Sequence, residues 1–214
     1  MNKEKIETKK VVIIDYGMGN IHSLRSALNY LGIESQVTDK EKVILEASHI
    51  FLPGVGSYKK AMEIVKKRNL DVILKKAVID SDIKLFGICL GMQLLGSHSD
   101  EDSGSEGLNL IPNKVARFQV DSSEFKIPHV GFNKVTLNKT FGDSIFKDIK
   151  DESFFYFVHS HKMEIFPNLD ISATTFHGEA FISAFQDNNI SGTQFHPELS
   201  QSNGMKILSN FLDS

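Results

Sequence analysis

The chain has 214 residues, 41% hydrophobic and 24% charged, with a net charge of −3. That composition supports a sizeable core and offers no basic footprint for nucleic acid. A single cysteine excludes an internal disulfide framework and suits a reducing compartment.

No apolar run approaches the ~20 residues needed to cross a membrane. The polar start, Met1 to Lys10, lacks the apolar centre of a signal peptide. The expectation is a cytoplasmic protein without membrane or nucleic-acid partners. Residues 1–10 are read as a flexible extension, and 11–214 as one domain.

Val11 to Asp15 reads as a buried strand that ends in the turn Tyr16-Gly17-Met18-Gly19-Asn20. From Asn20 to Leu31, apolar residues recur at helical spacing (Ile21, Leu24, Leu28, Leu31), and Gly32 stops the helix. Ile33 to Val37 forms a candidate second strand. His49-Ile50-Phe51-Leu52 forms a third, ending in Pro53-Gly54-Val55-Gly56. Helical patterns follow over Ser57 to Arg68 and Asp71 to Asp80, and then a strand from Ile83 to Cys89. Strand and helix alternating at this rhythm predict a parallel sheet with helices on both faces.

The texture changes near Ser99. Asp100 to Gly107 is acidic, rich in Gly and Ser, and reads as an exposed loop. Beyond it lie short β-type runs: Lys114 to Val120, Lys126 to Leu137, Ser153 to Val158, Ile171 to Thr175, Ala180 to Gln186 and Ile190 to Phe195. They are too closely spaced for intervening helices and predict an antiparallel extension of the sheet. Gly204 to Leu212 closes the chain as a helix. The fold class is α/β, one domain with a mixed, mostly parallel sheet.

Chemistry concentrates at Gly87-Ile88-Cys89-Leu90-Gly91, a G-x-C-x-G version of the nucleophile elbow. The flanking glycines allow a tight reversal from strand to helix. The thiol then projects where the helix N-terminus favours a thiolate. A thiol nucleophile needs a base held by a third group. There are eight histidines, and His196 is selected by context: it ends a β-type run, Pro197 fixes the backbone after it, and Glu198 can accept its N–H. Pro53-Gly54-Val55-Gly56 closes a parallel strand where such sheets place their sites, and its backbone N–H groups can face an oxyanion, with the Leu90 N–H as second donor. His129, His159 and His161 could line a pocket or equally be half-buried strand residues. No third metal ligand accompanies them, so no metal is expected.

Together, Cys89 in G-x-C-x-G-x-Q, PGVG at 53–56 and Phe195-His196-Pro197-Glu198 resemble the class I, triad-type glutamine amidotransferases. Finer motifs resemble the glutaminase subunits of imidazole glycerol phosphate synthases. These are Asp15 to Asn20, Gly107-Leu108-Asn109-Leu110-Ile111-Pro112, Ile127 to Asn133, Tyr156 to Ser160 and Gln194 to Glu198. The resemblance runs from Val11 to Leu212.

It implies that L-glutamine is held by Gln93 and by backbone around Gly54, Gly56, Ser160 and His161. Cys89 attacks the carboxamide, His196 protonates the departing ammonia, Glu198 orients His196, and the N–H groups of Val55 and Leu90 stabilise the oxyanion. No cofactor or metal is implied. The implied partner is a barrel-shaped cyclase (synthase) subunit in a heterodimer, which receives the ammonia through a channel in histidine biosynthesis. PGVG is the implied switch that couples the two subunits. The sequence departs from the family pattern at Phe132 (usually Trp), His161 (usually Tyr), Leu199 (usually Lys) and Asn113 (usually Gly). Those departures keep open a paralogue that supplies ammonia for amidating a surface-polysaccharide sugar. A thiol hydrolase or peptidase on a related sheet is a further alternative.

Overall fold

The computed structural model describes residues 9–138, 144–165, 169 and 171–214. Most of the expected extension, residues 1–8, lies outside them. Of its last two residues, Lys9 pairs with Asp213 at 2.8 Å, and the Lys10 carbonyl accepts from Ser48 N–H at 2.9 Å.

The first half alternates as the apolar spacing predicts: β1 (Val11–Ile14), α1 (Ile21–Tyr30), β2 (Ser35–Thr38), α2 (Glu41–Leu45), β3 (His49–Gly54), α3 (Tyr58–Lys67), α4 (Leu70–Ile79), β4 (Lys84–Cys89) and α5 (Leu90–Leu95). Short strands follow: β5 (His98–Ser99), β6 (Ser105–Glu106), β7 (Lys114–Arg117), β8 (His129–Leu137), β9 (Ser153–His159), β10 (His161–Met163), β11 (Ile171–Phe176), β12 (Ala180–Asp187) and β13 (Ile190–Thr193). The last helix is α6 (Gln201–Asp213). The one-turn helix α2 and the short β5, β6 and β10 have too few residues to show a period in sequence. Strand β8 begins at His129 rather than Lys126, because Pro128 has no N–H to offer a ladder.

Strands run in the order β2-β1-β3-β4-β13 as a parallel core, and β12, β10 and β7 continue from it antiparallel. β11, β8 and β9 branch from β12, again antiparallel. This is the mixed sheet with an antiparallel extension that the run spacing predicts.

Side chains alternate strictly across the parallel core. Val12, Ile14, Ile50, Leu52 and Leu85 pack with α3 and α4 on one face. Val11, Ile13, Phe51, Phe86 and Ile88 pack with α1 and α6 on the other. A parallel strand buried on both faces reads as a continuous apolar run, as Val11 to Ile14 does.

The acidic loop is exposed, as the sequence reading has it, but it is also anchored. Rather than standing free, Glu101 Oε2 accepts the Tyr58 N–H at 3.0 Å and Asp102 Oδ2 accepts the Ser57 hydroxyl at 2.9 Å. Carboxylates at the first turn of α3 meet unpaired N–H groups and the positive end of the helix. This anchoring brings Glu101 beside the end of β4.

Phe211 of α6 locks that helix to the sheet through rings of Phe51 and Phe86, at centroid distances of 5.2 and 4.9 Å. Phe211→Ala is expected to destabilise the protein by about 3–5 kcal/mol. The check is a lowered urea midpoint at unchanged slope; an unshifted midpoint contradicts the assignment of Phe211 as the wedge between α6 and the sheet.

Candidate active site

β4 passes into α5 with no intervening residue, Cys89 ending one and Leu90 starting the other. The reversal closes only because Cys89 takes φ 53° and ψ −111°, a costly conformation for an L residue. The glycines beside it are required by proximity. A Cβ at Gly91 would lie 1.7 Å from the Leu52 carbonyl oxygen, and one at Gly87 would lie 2.6 Å from the Met92 Cα. The elbow read from the sequence is present in the backbone.

β13 lies beside β4 in parallel register, Thr193 opposite Ile88. The chain beyond Thr193 therefore delivers His196 to the edge where Cys89 stands. His196 Nδ1 meets Glu198 Oε1 at 2.8 Å, with both side chains buried. Backbone bonds fix this segment: His196 N–H donates to the Tyr156 carbonyl at 2.9 Å, the Ser200 hydroxyl to the His196 carbonyl at 2.6 Å, and Tyr156 N–H to Ser200 Oγ at 2.9 Å. Burial disfavours an imidazolium, but Cys89 and Glu198 outweigh it and raise His196 to about 10. The base is thus charged near neutrality, the form that donates a proton. His196 Nε2 itself has no hydrogen-bond partner among the described residues in this conformation. The thiol points to the Val158 carbonyl at 3.9 Å instead, and Gln194 Nε2 reaches Sγ at 3.7 Å.

Cys89 and His196 share a cavity of about 420 Å³ with Val55, Gly56, Leu90 and Gln93, and Ser160 and His161 close its far side. Gly54 and Glu198 do not line it. Gly54 pairs with Cys89 in the ladder, and Glu198 bonds the Nδ1 side of the His196 ring. A larger cavity of about 760 Å³ includes Lys84, at the opposite end of β4, and holds no cysteine.

Two charged residues in the site escaped the sequence reading, Glu101 and Arg117, which line the same cavity. Only the docking of the acidic loop and the pairing of β7 into the sheet bring them there.

Val55 corrects an expectation. Its N–H donates to the Met18 carbonyl at 2.9 Å, so it does not face an oxyanion in this conformation. Gly56 beside it has φ +99°, a backbone state that a side chain would resist.

Of the histidines left open in sequence, His129 and His159 are buried strand residues and His161 is half-buried on β10; His159 and His161 both line the cavity. His159 Nδ1 donates to the His161 carbonyl at 2.7 Å, which leaves Nε2 to accept from His129 Nδ1 at 2.9 Å; His129 Nε2 then accepts from Asn133 at 3.1 Å. His177 stacks on His129 at 4.1 Å. Burial keeps the His129 and His159 rings neutral near pH 7. Among the described residues no cluster of three His, Cys, Asp or Glu is placed to hold a metal, and no helix is long and apolar enough to cross a membrane.

Of the departing positions, His161 uses its main chain, the carbonyl accepting from Gln93 Nε2 at 2.9 Å. Asn113 is buried and donates to the Glu164 carbonyl at 3.1 Å. Phe132 stands exposed on the paired strands β8 and β9 with Val130, Phe154 and Val158, which are also exposed, and Leu199 is exposed in the segment after His196.

Known proteins resemble this chain in sequence and in fold. The family model "Glutamine amidotransferase class-I" matches residues 12–214. A Chlorobaculum tepidum protein named imidazole glycerol phosphate synthase subunit HisH is 42% identical over 205 residues, covering 95% of this chain and 99% of its own. A Bacillus cytotoxicus protein of the same name is 42% identical over 201 residues, covering 94% and 93%. The solved structure of PurLQS from Thermotoga maritima superposes with a TM-score of 0.73 at 15% identity, covering 96% of this chain and 98% of that one. That last likeness speaks to the fold alone.

Buried histidines make stability depend on acid. Burial comes first in lowering His129 to about 4, His159 to about 3 and His49 to about 4, and it outweighs the opposing hydrogen bond from His159 to the His161 carbonyl and the opposing charge of Asp213 at His49. An unfolded chain binds these protons near 6.5, so stability should fall as pH drops from there toward 4. His196, raised to about 10, already contributes fully below 6.5. Urea unfolding at a series of pH values should show this decline before the carboxylates titrate. A flat profile over that window contradicts the neutral histidine ladder.

Proposed function

The chain belongs to the class-I glutamine amidotransferase family, and from that premise we propose that it hydrolyses L-glutamine to glutamate and ammonia as the glutaminase subunit of an imidazole glycerol phosphate synthase, in histidine biosynthesis. One observation carries the reading. An elbow cysteine and a carboxylate-held imidazole arrive on adjacent strands and face one cavity that also presents a carboxylate and a guanidinium. Glu101 suits the α-ammonium of a free amino acid and Arg117 its carboxylate, while Gln93, Gly56, Ser160 and His161 surround the rest.

In the proposed reaction the Cys89 thiolate attacks the side-chain carbonyl carbon. His196 passes its proton to the nitrogen as the carbon–nitrogen bond breaks and ammonia leaves. Water, deprotonated by His196, then attacks the thioester, releasing glutamate and restoring the thiol. Glu198 holds the ring throughout. Leu90 N–H supplies one oxyanion donor, and Val55 N–H supplies the second once it leaves Met18. The broken bond to Met18 is the step by which a partner turns the enzyme on: until Val55 turns, the hole is half made and turnover is slow.

The partner is a cyclase subunit, barrel-shaped, that receives neutral ammonia. The exposed apolar face of Val130, Phe132, Phe154 and Val158, on β8 and β9, is the docking surface that fits it. A protonated amine is no nucleophile, so a dry passage beneath that face preserves reactivity. Relatives named for imidazole glycerol phosphate synthase favour this pathway over sugar amidation. The protein works in the cytoplasm, as a heterodimer and without a cofactor.

Cys89→Ala should lose glutamate release by at least about a thousandfold with the fold intact, while the partner still uses added ammonia. His196→Ala should approach that loss, and Glu198→Ala should fall short of it, because the carboxylate only orients the ring. The assay is glutamate release by the assembled pair with the partner's substrate present. Normal turnover by Cys89→Ala would remove the nucleophile from the argument.

A further inference from the structure

Gln194 takes no part in the mechanism above, yet it is fully buried behind the nucleophile. Its main-chain N–H is held by the Ser183 carbonyl at 2.8 Å. Its side chain is gripped from one end: Oε1 accepts from Gln93 Nε2 at 2.9 Å. Gln93 has no freedom to turn, because the same Nε2 donates to the His161 main-chain carbonyl at 2.9 Å.

A carboxamide donates only from nitrogen and accepts only at oxygen. His161 offers a carbonyl, so Gln93 must show it an N–H. The second N–H of Gln93 then demands the oxygen of Gln194. Gln194 is left with its NH₂ turned the other way, where it meets Cys89 Sγ at 3.7 Å. Rotating Gln194 by half a turn would set two NH₂ groups against each other and a carbonyl oxygen against the sulfur. The aim of this donor is therefore dictated by a backbone carbonyl two residues' reach away, through an amide relay. A neutral thiol gains little from a buried donor on its sulfur, whereas a thiolate gains a charge-assisted bond in a medium of low dielectric.

We propose that Gln194 is a further catalytic residue: its amide N–H stabilises the thiolate of Cys89, and Gln93 with the His161 carbonyl sets its direction. The inference rests on the reading of Cys89 as the nucleophile of a glutaminase. His196 takes the thiol proton, and Gln194 holds the negative sulfur that remains.

The test uses the full chain and iodoacetamide, since all alkylation reports on the one cysteine. Gln194→Met keeps the volume and removes the donor. Its alkylation at neutral pH should be roughly ten- to hundredfold slower, with the rate profile displaced to higher pH. Glutamate release by the assembled pair should lose kcat by a similar factor with KM within about twofold. Gln194→Glu keeps the shape and sets a carboxylate against the sulfur, so it should be slower still. An unchanged alkylation rate and profile in folded Gln194→Met overturns the proposal. If that variant does not fold, ¹⁵N-labelled wild type decides. The Gln194 side-chain amide resonances should move as the thiol titrates and should differ in Cys89→Ala; resonances that stay fixed in both comparisons overturn the proposal as well. Slowed alkylation in Gln194→Met alongside a wild-type pair that releases no glutamate would leave the thiolate role standing and remove the glutaminase reading instead.

Discussion

Everything at this site depends on how closely α5 lies against β3. The Leu52 carbonyl passes where a side chain on Gly91 would be, with a Cβ only 1.7 Å away. No rotamer change relieves such a contact, because both sides of it are backbone. With α5 pressed down this far, the chain leaving β4 has one residue in which to reverse, and that residue carries the sulfur. Its φ of 53° is the cost of the reversal, offset by the packing of Leu90, Met92, Leu94 and Leu95 into the core beneath. Activity and stability are set against each other at a single position.

Around that fixed point the polar groups fall into two sets that share few members. The main chain that carries the imidazole is pinned from outside by Tyr156 and Ser200, and the ring itself by Glu198. The amides of Gln93 and Gln194 are pinned from inside by the His161 carbonyl. The same carbonyl takes the Nδ1 proton of His159 and so starts the histidine ladder that ends on β8. One main-chain oxygen thus ties the floor of the cavity to the strand bearing Phe132. This arrangement explains why the side chain at position 161 can differ from the family pattern while its backbone role persists.

The sequence made the nucleophile and its base legible for a local reason. An elbow needs glycines on both sides of the reacting residue, and His196-Pro197-Glu198 packs base, stiffener and carboxylate into three neighbours. The apolar runs also reported the parallel core faithfully, since Val11 to Ile14 and His49 to Leu52 are buried on both faces and have no other use. What stayed hidden depends on long-range contact. Glu101 looked like one more acid in a solvated loop until α3 claimed it as a cap. Arg117 lay within a β-type run, with nothing in the sequence to place it beside the nucleophile. Gln194 is an unremarkable glutamine whose meaning lies in two partners, at positions 93 and 89. The orientation of Val55 was illegible in principle, because a glycine-flanked peptide can present either its N–H or its carbonyl, and composition does not choose.

The order of strands in the sheet carries one more consequence. Cys89 sits on β4 and His196 follows β13, neighbours in space that more than a hundred residues separate along the chain. Every strand of the antiparallel extension must be made before the second arrives. A nascent polypeptide still emerging from the ribosome therefore holds a sulfur with no proton acceptor, and chemistry begins only when β13 has been made and has slotted between β4 and β12. Catalytic competence is thereby a late event in the birth of the molecule, reached only after the sheet has closed.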